Sequence, residues 1–159
     1  MVNSKDHKLV KVCNDYVSKL SINKFLIAYS GGIDSSVLLD CFFQLSRIIP
    51  IKIRSIHVNH GLFEEADLFE DHCRKICKEY DIEHTTKKLN LKLTSNIEEQ
   101  CRRARYSELC GNCQDDEVII TAHHEEDQIE TFFLRLIRGS GVRGLSCIKE
   151  TSLYVDALL

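Results

Sequence analysis

The sequence has one proline, Pro50, and no apolar run longer than a handful of residues. The missing run excludes a membrane-spanning helix, which needs about 20 consecutive apolar residues. The opening Met1-Val-Asn-Ser-Lys-Asp-His-Lys likewise lacks the apolar core of a secretion signal, so a cytoplasmic protein is expected. Excess positive charge is also missing: 21 Lys and Arg against 24 Asp and Glu leave a formal charge of −3. That balance argues against a dedicated basic nucleic-acid module, and any RNA contact must come from a local patch or from other parts of a larger protein. No repeat, low-complexity tract or linker interrupts the chain. Neither a Walker loop nor G-x-G-x-x-G occurs. The 159 residues are expected to form a single domain, 1–159, large enough to bury a core.

What is present is organised around Lys24-Phe-Leu-Ile-Ala-Tyr-Ser-Gly-Gly-Ile-Asp-Ser-Ser-Val-Leu-Leu-Asp40. Residues 25–29 are apolar on both parities, as in a strand covered on both faces. Residues 34–45 carry Val37, Leu38, Leu39, Cys41, Phe42, Phe43 and Leu45, too long a run for one strand, and predict a largely buried helix. Between them lies Ser30-Gly31-Gly32. At such a junction the first helix amides point unpaired toward the end of the strand, where the helix dipole also favours an anion. Gly31 and Gly32 allow a close approach of backbone to phosphate, and Ser30, Ser35 and Ser36 offer hydroxyls. Asp34 would repel phosphates unless a cation lay between, which points to a magnesium-bound nucleotide. The competing reading is a strand-to-helix turn with Asp34 as a helix cap.

Strands are further expected at 52–58, 82–87, 117–121 and 153–155, and helices at 6–20, 64–80, 95–110 and 125–137. The first helix should lie across the sheet on a stripe of Leu9, Cys13, Tyr16, Val17 and Leu20. Ser95 to Glu98 forms a capping-box pattern, and Gly111 can close the helix it opens. This alternation predicts an α/β fold, a parallel five-stranded sheet with helices on both faces. Ligands of such sheets lie beyond the carboxyl ends of the strands. Residues 30–35, 57–61 and 123–130 all fall at that rim.

Of eight cysteines, Cys13, Cys73 and Cys77 sit at helical spacing on apolar stripes and read as core. Cys110-Gly-Asn-Cys113 has the spacing of half a zinc site without a second pair. In the expected helix from 125, Asp127, Glu130 and Thr131 share a face, opposite Ile129, Phe132 and Phe133. Those carboxylates could hold magnesium or orient an amine, or could be a solvated face. His57, His60, His123 and His124 could stack on ligands, support loops or bind metal. Glu98, Arg102 and Arg105 are spaced i, i+4, i+7. They are either an exposed ion-paired face or arginines that reach phosphate.

Ser30-Gly-Gly-Ile-Asp-Ser35 after a buried strand resembles the pyrophosphate loop of the N-type ATP pyrophosphatases, whose fold is Rossmann-like, of the adenine nucleotide alpha hydrolase type. Three further segments resemble, in order and spacing, the catalytic domain of the tRNA(Ile)-lysidine synthase family: His57-Val-Asn-His-Gly-Leu62, Asn96-Ile-Glu-Glu-Gln-Cys-Arg-Arg-Ala-Arg-Tyr106, and Thr121-Ala-His-His-Glu-Glu-Asp-Gln-Ile-Glu-Thr131 with Arg138-Gly-Ser-Gly141. The family has Asp-Asp-Gln where this chain has Glu126-Asp127-Gln128. The resemblance implies a carbon–nitrogen ligase that converts ATP to AMP and pyrophosphate. In that reaction the wobble cytidine of tRNA(Ile) is adenylated, and free L-lysine then displaces AMP. It implies ATP contacts from Ala28, Ser30, Gly31, Gly32, Ile33, Asp34, Ser35, His57 and Asn59, with Mg2+ on Asp34. Catalytic roles would fall to Asp34, His60, His124, Asp127 and Glu130, and phosphate or substrate contacts to Arg102, Arg105 and Arg138. A homodimer is admitted. The alternatives are tRNA 2-thiocytidine synthesis and an ATP-binding fragment without activity. The family continues into further tRNA-gripping domains, which this chain is expected to lack.

Overall fold

A computed structural model describes residues 8–62, 66–89 and 97–122. Ala122 apart, these fall in one compact unit, residues 1–121. The elements in order are α1 (Lys8–Val17), β1 (Lys24–Ala28), α2 (Ile33–Ser46), β2 (Lys52–Asn59), α3 (Ala66–Glu79), β3 (Glu83–Lys88), α4 (Ile97–Asn112) and β4 (Glu117–Ile120). The strands form one parallel sheet in the order β3-β2-β1-β4. Among the described residues the sheet has four of the five strands expected; the segment 153–155 expected to supply the fifth, like the helix expected at 125–137, lies outside the described residues.

Strand β1 is central and buried on both faces, which is why its sequence shows no alternation. Phe25, Ile27 and Tyr29 join Leu39, Phe42 and Leu45 of α2 and Cys73 and Cys77 of α3 in one cluster. Within it the Phe25 and Phe42 rings meet edge to face at 5.3 Å. Leu26 points the other way, into a second cluster with Ile56 of β2 and Leu109 of α4, bordered by Tyr106 and Ile119. Helices α2 and α3 thus cover one face and α4 the other. Helix α1 packs on α2. Its buried residues are Val10 and Val17, whereas Leu9, expected on the inward stripe, is 44% exposed.

The order of the strands follows from these faces. From β1 through α2, β2 and α3 to β3 the chain steps always in one direction; α4 then carries it back across the other face to β4 at the opposite edge of β1. A right-handed crossover that reverses direction must change face. The crevice beyond the carboxyl ends of β1 and β4 is therefore the switch point at which such sheets bind ligands.

At the opposite, amino end of the strands a part-buried ion pair ties the sheet together. Arg54 donates to both Glu117 carboxylate oxygens, from Nε at 3.0 Å and Nη2 at 2.7 Å. The same guanidinium donates to the Asn112 carbonyl at 3.0 Å and to Glu83 at 3.3 Å, so one side chain on β2 links β3, β4 and the end of α4. Cys113 lies at this end, its thiol donating to the Glu117 carbonyl at 3.4 Å. The Cys-x-x-Cys pair is thus remote from the rim, and among the described residues no group of three or more His, Cys, Asp or Glu side chains is placed to hold a metal.

Candidate functional site

The loop between β1 and α2 is shaped by its own hydroxyls. Ser35 and Ser36 donate to the Gly32 carbonyl at 3.0 and 2.9 Å. The Ser30 hydroxyl accepts from the Gly32 amide at 3.3 Å and lies 2.9 Å from that of Ser35. Gly32 is the N-cap of α2, with extended φ −73° and ψ 167°, and no side chain caps the helix. The first intrahelical bond is the Ser36 amide to the Gly32 carbonyl at 3.0 Å. The amides of Ile33, Asp34 and Ser35 therefore precede the helical ladder and mark the positive end of the helix. Asp34 and Ile33 are exposed in this first turn. The cap reading of Asp34 is not the one realised, because Gly32 takes that position.

Gly31 has a φ of +83°, in the region that favours glycine. A Cβ there would lie 3.1 Å from Cys73 Sγ and 3.1 Å from Phe69 Cδ1, so α3 forms the wall behind the loop. The Cys73 thiol also donates to the Tyr29 carbonyl at 3.7 Å. Burial pushes that thiol up to about 12, which makes it packing material and not a nucleophile at neutral pH.

Beyond β2, alternation sends Ser55, His57 and Asn59 to the α3 face and Arg54, Ile56 and Val58 to the α4 face. His57 is buried, and its Nδ1 donates to the Tyr29 carbonyl at 2.9 Å. Burial lowers its pKa below the usual histidine value, so the ring is neutral, with the proton on Nδ1 and a lone pair on Nε2. Asn59 is buried and uses both ends of its amide. Nδ2 donates to Asp67 at 2.9 Å and Glu70 at 3.1 Å, while Oδ1 accepts from the Gly61 amide at 2.8 Å. Both carboxylates belong to α3. Lys88 bridges them, at 3.0 Å from Asp67 and 3.3 Å from Glu70, and Arg74 meets Glu70 at 2.6 Å. Burial opposes the charge on Glu70, but Asn59, Lys88 and Arg74 outweigh it and hold the carboxyl below its usual range.

Arg105 reaches from α4 to the same rim and donates from Nε to His60 Nε2 at 3.2 Å. An arginine Nε can only donate, so His60 carries its proton on Nδ1, which is buried and meets no acceptor among the described residues. Burial, the Arg105 charge and His57 all lower the His60 pKa. Arg102, expected beside Arg105, lies over the ring of Tyr106 at 5.5 Å on its own helix. The ion pair on this helix is Arg103 with Glu99 at 2.9 Å, one residue along from the expected Glu98 and Arg102.

The described structure thus gathers residues 28–36, His57, Asn59, His60 and Arg105 at one end of the sheet, around the reversal of strand order. His123, His124, Asp127, Glu130 and Arg138 lie outside the described residues. Sequence reasoning did not find Glu70 and Lys88, which read as ordinary helix and strand charges. The only available signal was Glu70's place on the face that also carries Cys73 and Cys77.

Among solved structures, this fold is similar to that of the U34-tRNA thiolase NcsA from Methanococcus maripaludis with its 4Fe-4S cluster, at a TM-score of 0.66 and 23% identity, covering 87% of this chain and 53% of that one. Among curated proteins, the chain is 48% identical over 137 residues to the tRNA(Ile)-lysidine synthase of Buchnera aphidicola subsp. Schizaphis graminum, and 42% identical over 137 residues to that of Histophilus somni strain 2336. These matches cover 86% of this chain but 30% and 32% of the relatives, so the chain spans about a third of their length. The family model described as the PP-loop domain matches residues 3–157. With that match along nearly its whole length, and with the glycine-shaped loop at the switch point of a parallel sheet, the chain belongs to the PP-loop domain family.

Proposed function

We propose that this chain is the ATP-binding catalytic domain of a tRNA(Ile)-lysidine synthase, acting in the cytoplasm on ATP, free L-lysine and the wobble cytidine of tRNA(Ile). The observation that carries the nucleotide part is the uncapped start of α2 behind Gly31 and Gly32. The positive end of the α2 dipole follows a loop held in shape by the hydroxyls of Ser30, Ser35 and Ser36, and Gly31 at φ +83° puts no Cβ on it. The acceptor part rests on the likeness to the lysidine synthases over 86% of the chain.

In this reading residues 28–35 hold the triphosphate. Asp34, exposed at the first turn of α2, fits a cation and would hold Mg2+, whose bound charge would offset that of the phosphates. The cytidine O2 attacks the α-phosphate, pyrophosphate leaves, and the lysine amine then displaces AMP. The loop amides stabilise charge on the attacked phosphate and the leaving group. His60 is held at the rim by Arg105, which fixes its tautomer by donating to Nε2, and lines the reaction centre. Asp127, Glu130 or His124 takes the proton from the lysine amine and orients it. Arg102 and Arg138 contribute charge toward tRNA phosphate. A thiolating reading needs an accessible cysteine pair near the arginine-bearing helix, whereas Cys101 is buried and the Cys-x-x-Cys pair lies at the other end of the sheet.

The test is release of labelled pyrophosphate from ATP with magnesium and lysine, with and without a tRNA(Ile) transcript bearing the wobble cytidine. Release that requires the cytidine and disappears in Asp34→Ala, with lysine transferred to the tRNA, is expected. A folded chain that binds no ATP would overturn the loop assignment, and sulfur transfer in place of lysine transfer would overturn the acceptor assignment.

A further inference from the structure

We infer that Glu70 and Asn59 form a latch that sets the shape of the phosphate loop, with Glu70 as a positioning residue that touches neither nucleotide nor tRNA. The inference deepens the reading of residues 30–36 as the nucleotide loop and rests on it.

The argument starts from what is buried. Glu70 is 6% and Asn59 2% exposed, and a polar side chain withdrawn from water this far needs every hydrogen bond it can make. Asn59 makes three: two donated to Asp67 and Glu70, and one accepted from the amide of Gly61. Its orientation is thereby fixed, because carboxylates can only accept and an amide nitrogen can only donate. One side chain thus joins the last residue of β2, the turn after it and the first turns of α3.

The other end of the connection is steric. Phe69 and Cys73, the residues one before and three after Glu70, are the two that stand behind Gly31. Cys73 is fully buried among Tyr29, His57 and the core, at 3.5 Å from His57 Nδ1. The position of α3 along β2 is therefore also the position of the wall on which the loop rests, and the polar contacts that pin that position near the rim fall on Asp67 and on Glu70, the buried one of the two. Lys88 and Arg74 keep its carboxyl ionised and directed, Lys88 from the neighbouring strand and Arg74 from one turn along α3. Asn59 then serves the nucleotide through the loop's geometry, since its own polar atoms are all engaged within the protein.

The test uses the whole chain with three substitutions: Glu70→Ala, which removes the acceptor; Glu70→Gln, which keeps an oxygen for Asn59; and Lys75→Gln, exposed on the same helix, as a control. Two readouts are taken, the ATP dissociation constant and the amide resonances of Gly31 and Gly32 in the nucleotide-free protein. Glu70→Ala is expected to weaken ATP about tenfold and to move both glycine resonances. Glu70→Gln should recover affinity to within about twofold, and Lys75→Gln should do nothing. A folded Glu70→Ala protein with both glycine resonances unmoved overturns the latch. Should the unaltered chain fail to bind ATP, the nucleotide reading falls while the resonances still decide whether Glu70 shapes the loop. A general loss of stability without selective movement of the loop is the outcome of a purely structural role, and also counts against the proposal.

Discussion

Replacing Gly31 by alanine isolates the geometric demand of the phosphate loop. At φ +83° a residue with a Cβ meets backbone strain of roughly 1–2 kcal/mol. The added methyl would also sit 3.1 Å from two side-chain atoms of α3. The two contacts differ in how far they yield. Phe69 is 48% exposed and its ring can swing outward, whereas Cys73 is fully buried and held by the helix packed on either side of it. That contact adds about 1 kcal/mol of overpacking, for a total of roughly 2–3 kcal/mol. Gly32→Ala, one residue on, makes the contrast: φ there is −73°, and the nearest atom to a new Cβ is Ser30 Oγ at 3.4 Å. Its effect should stay within about 0.5 kcal/mol, a weaker cap offset by a less flexible unfolded chain. Urea unfolding of both variants, with the slope checked for constancy, gives the numbers. In a cycle with Cys73→Ala the contact component of Gly31→Ala should be recovered and the backbone component should remain. Equal stability of the Gly31→Ala and Gly32→Ala proteins, or ATP affinity in Gly31→Ala unchanged from the parent, would refute the account of the loop.

Two further predictions concern parts of the molecule away from the phosphate loop. Glu117→Gln breaks a pair whose carboxylate side chain is only 3% exposed and should lower stability by about 3 kcal/mol in denaturant titration. Because that pair sits at the amino end of the strands, ATP affinity of the folded variant should not change, and a change would mean the two ends of the sheet are coupled. The third prediction concerns acid. His84, half-buried between the Ser55 and Thr86 hydroxyls, has its pKa lowered to about 4, chiefly by desolvation, and His57 is lowered in the same direction. The unfolded chain takes up protons near the ordinary histidine value of about 6.5 while the folded one does not. Stability is therefore fully present above that value and falls as the pH drops from about 6.5 toward 4. His84→Gln should flatten this slope in urea midpoints measured across the window, and an unaltered slope would show that His84 does not carry it.

The strand, loop and helix at 24–46 were legible because each used a different signal: apolar residues on both parities, a glycine pair, then a run too long for a strand. Faces and partners were harder to read. Of the stripe 9, 13, 16, 17, 20 expected on α1, Val17 is buried and Cys13 and Leu20 pack against the core, but Leu9 is exposed and Val10 is buried in its stead. Spacing i, i+4 on α4 permits Glu98 with Arg102 equally with Glu99 and Arg103; the ring of Tyr106 draws Arg102 away and leaves the second pair. Resemblance brought His57 and Asn59 to the nucleotide rim, and alternation along β2 could have put them on a common face. Nothing local said that α3 would meet that face with Glu70, or that Arg105 would cross 45 residues of sequence to reach His60. The Arg54 and Glu117 pair, 63 residues apart, was equally invisible, because ion pairs across a sheet depend on strand order, which periodicity does not encode.

The reversal of strand order also sets a schedule for synthesis. Lys24 to Ile27 of β1 pair with residues 117–120. One edge of the most apolar strand in the sheet, with Phe25, Leu26 and Ile27 all buried once folded, must wait for its neighbour while the intervening chain is made. At ordinary elongation rates that wait lasts roughly 5–20 s. The β2 edge can be closed much earlier, so the nascent protein passes through a stage in which a two- or three-stranded sheet presents an unpaired, sticky margin. Whatever escorts the chain off the ribosome has that margin to shield.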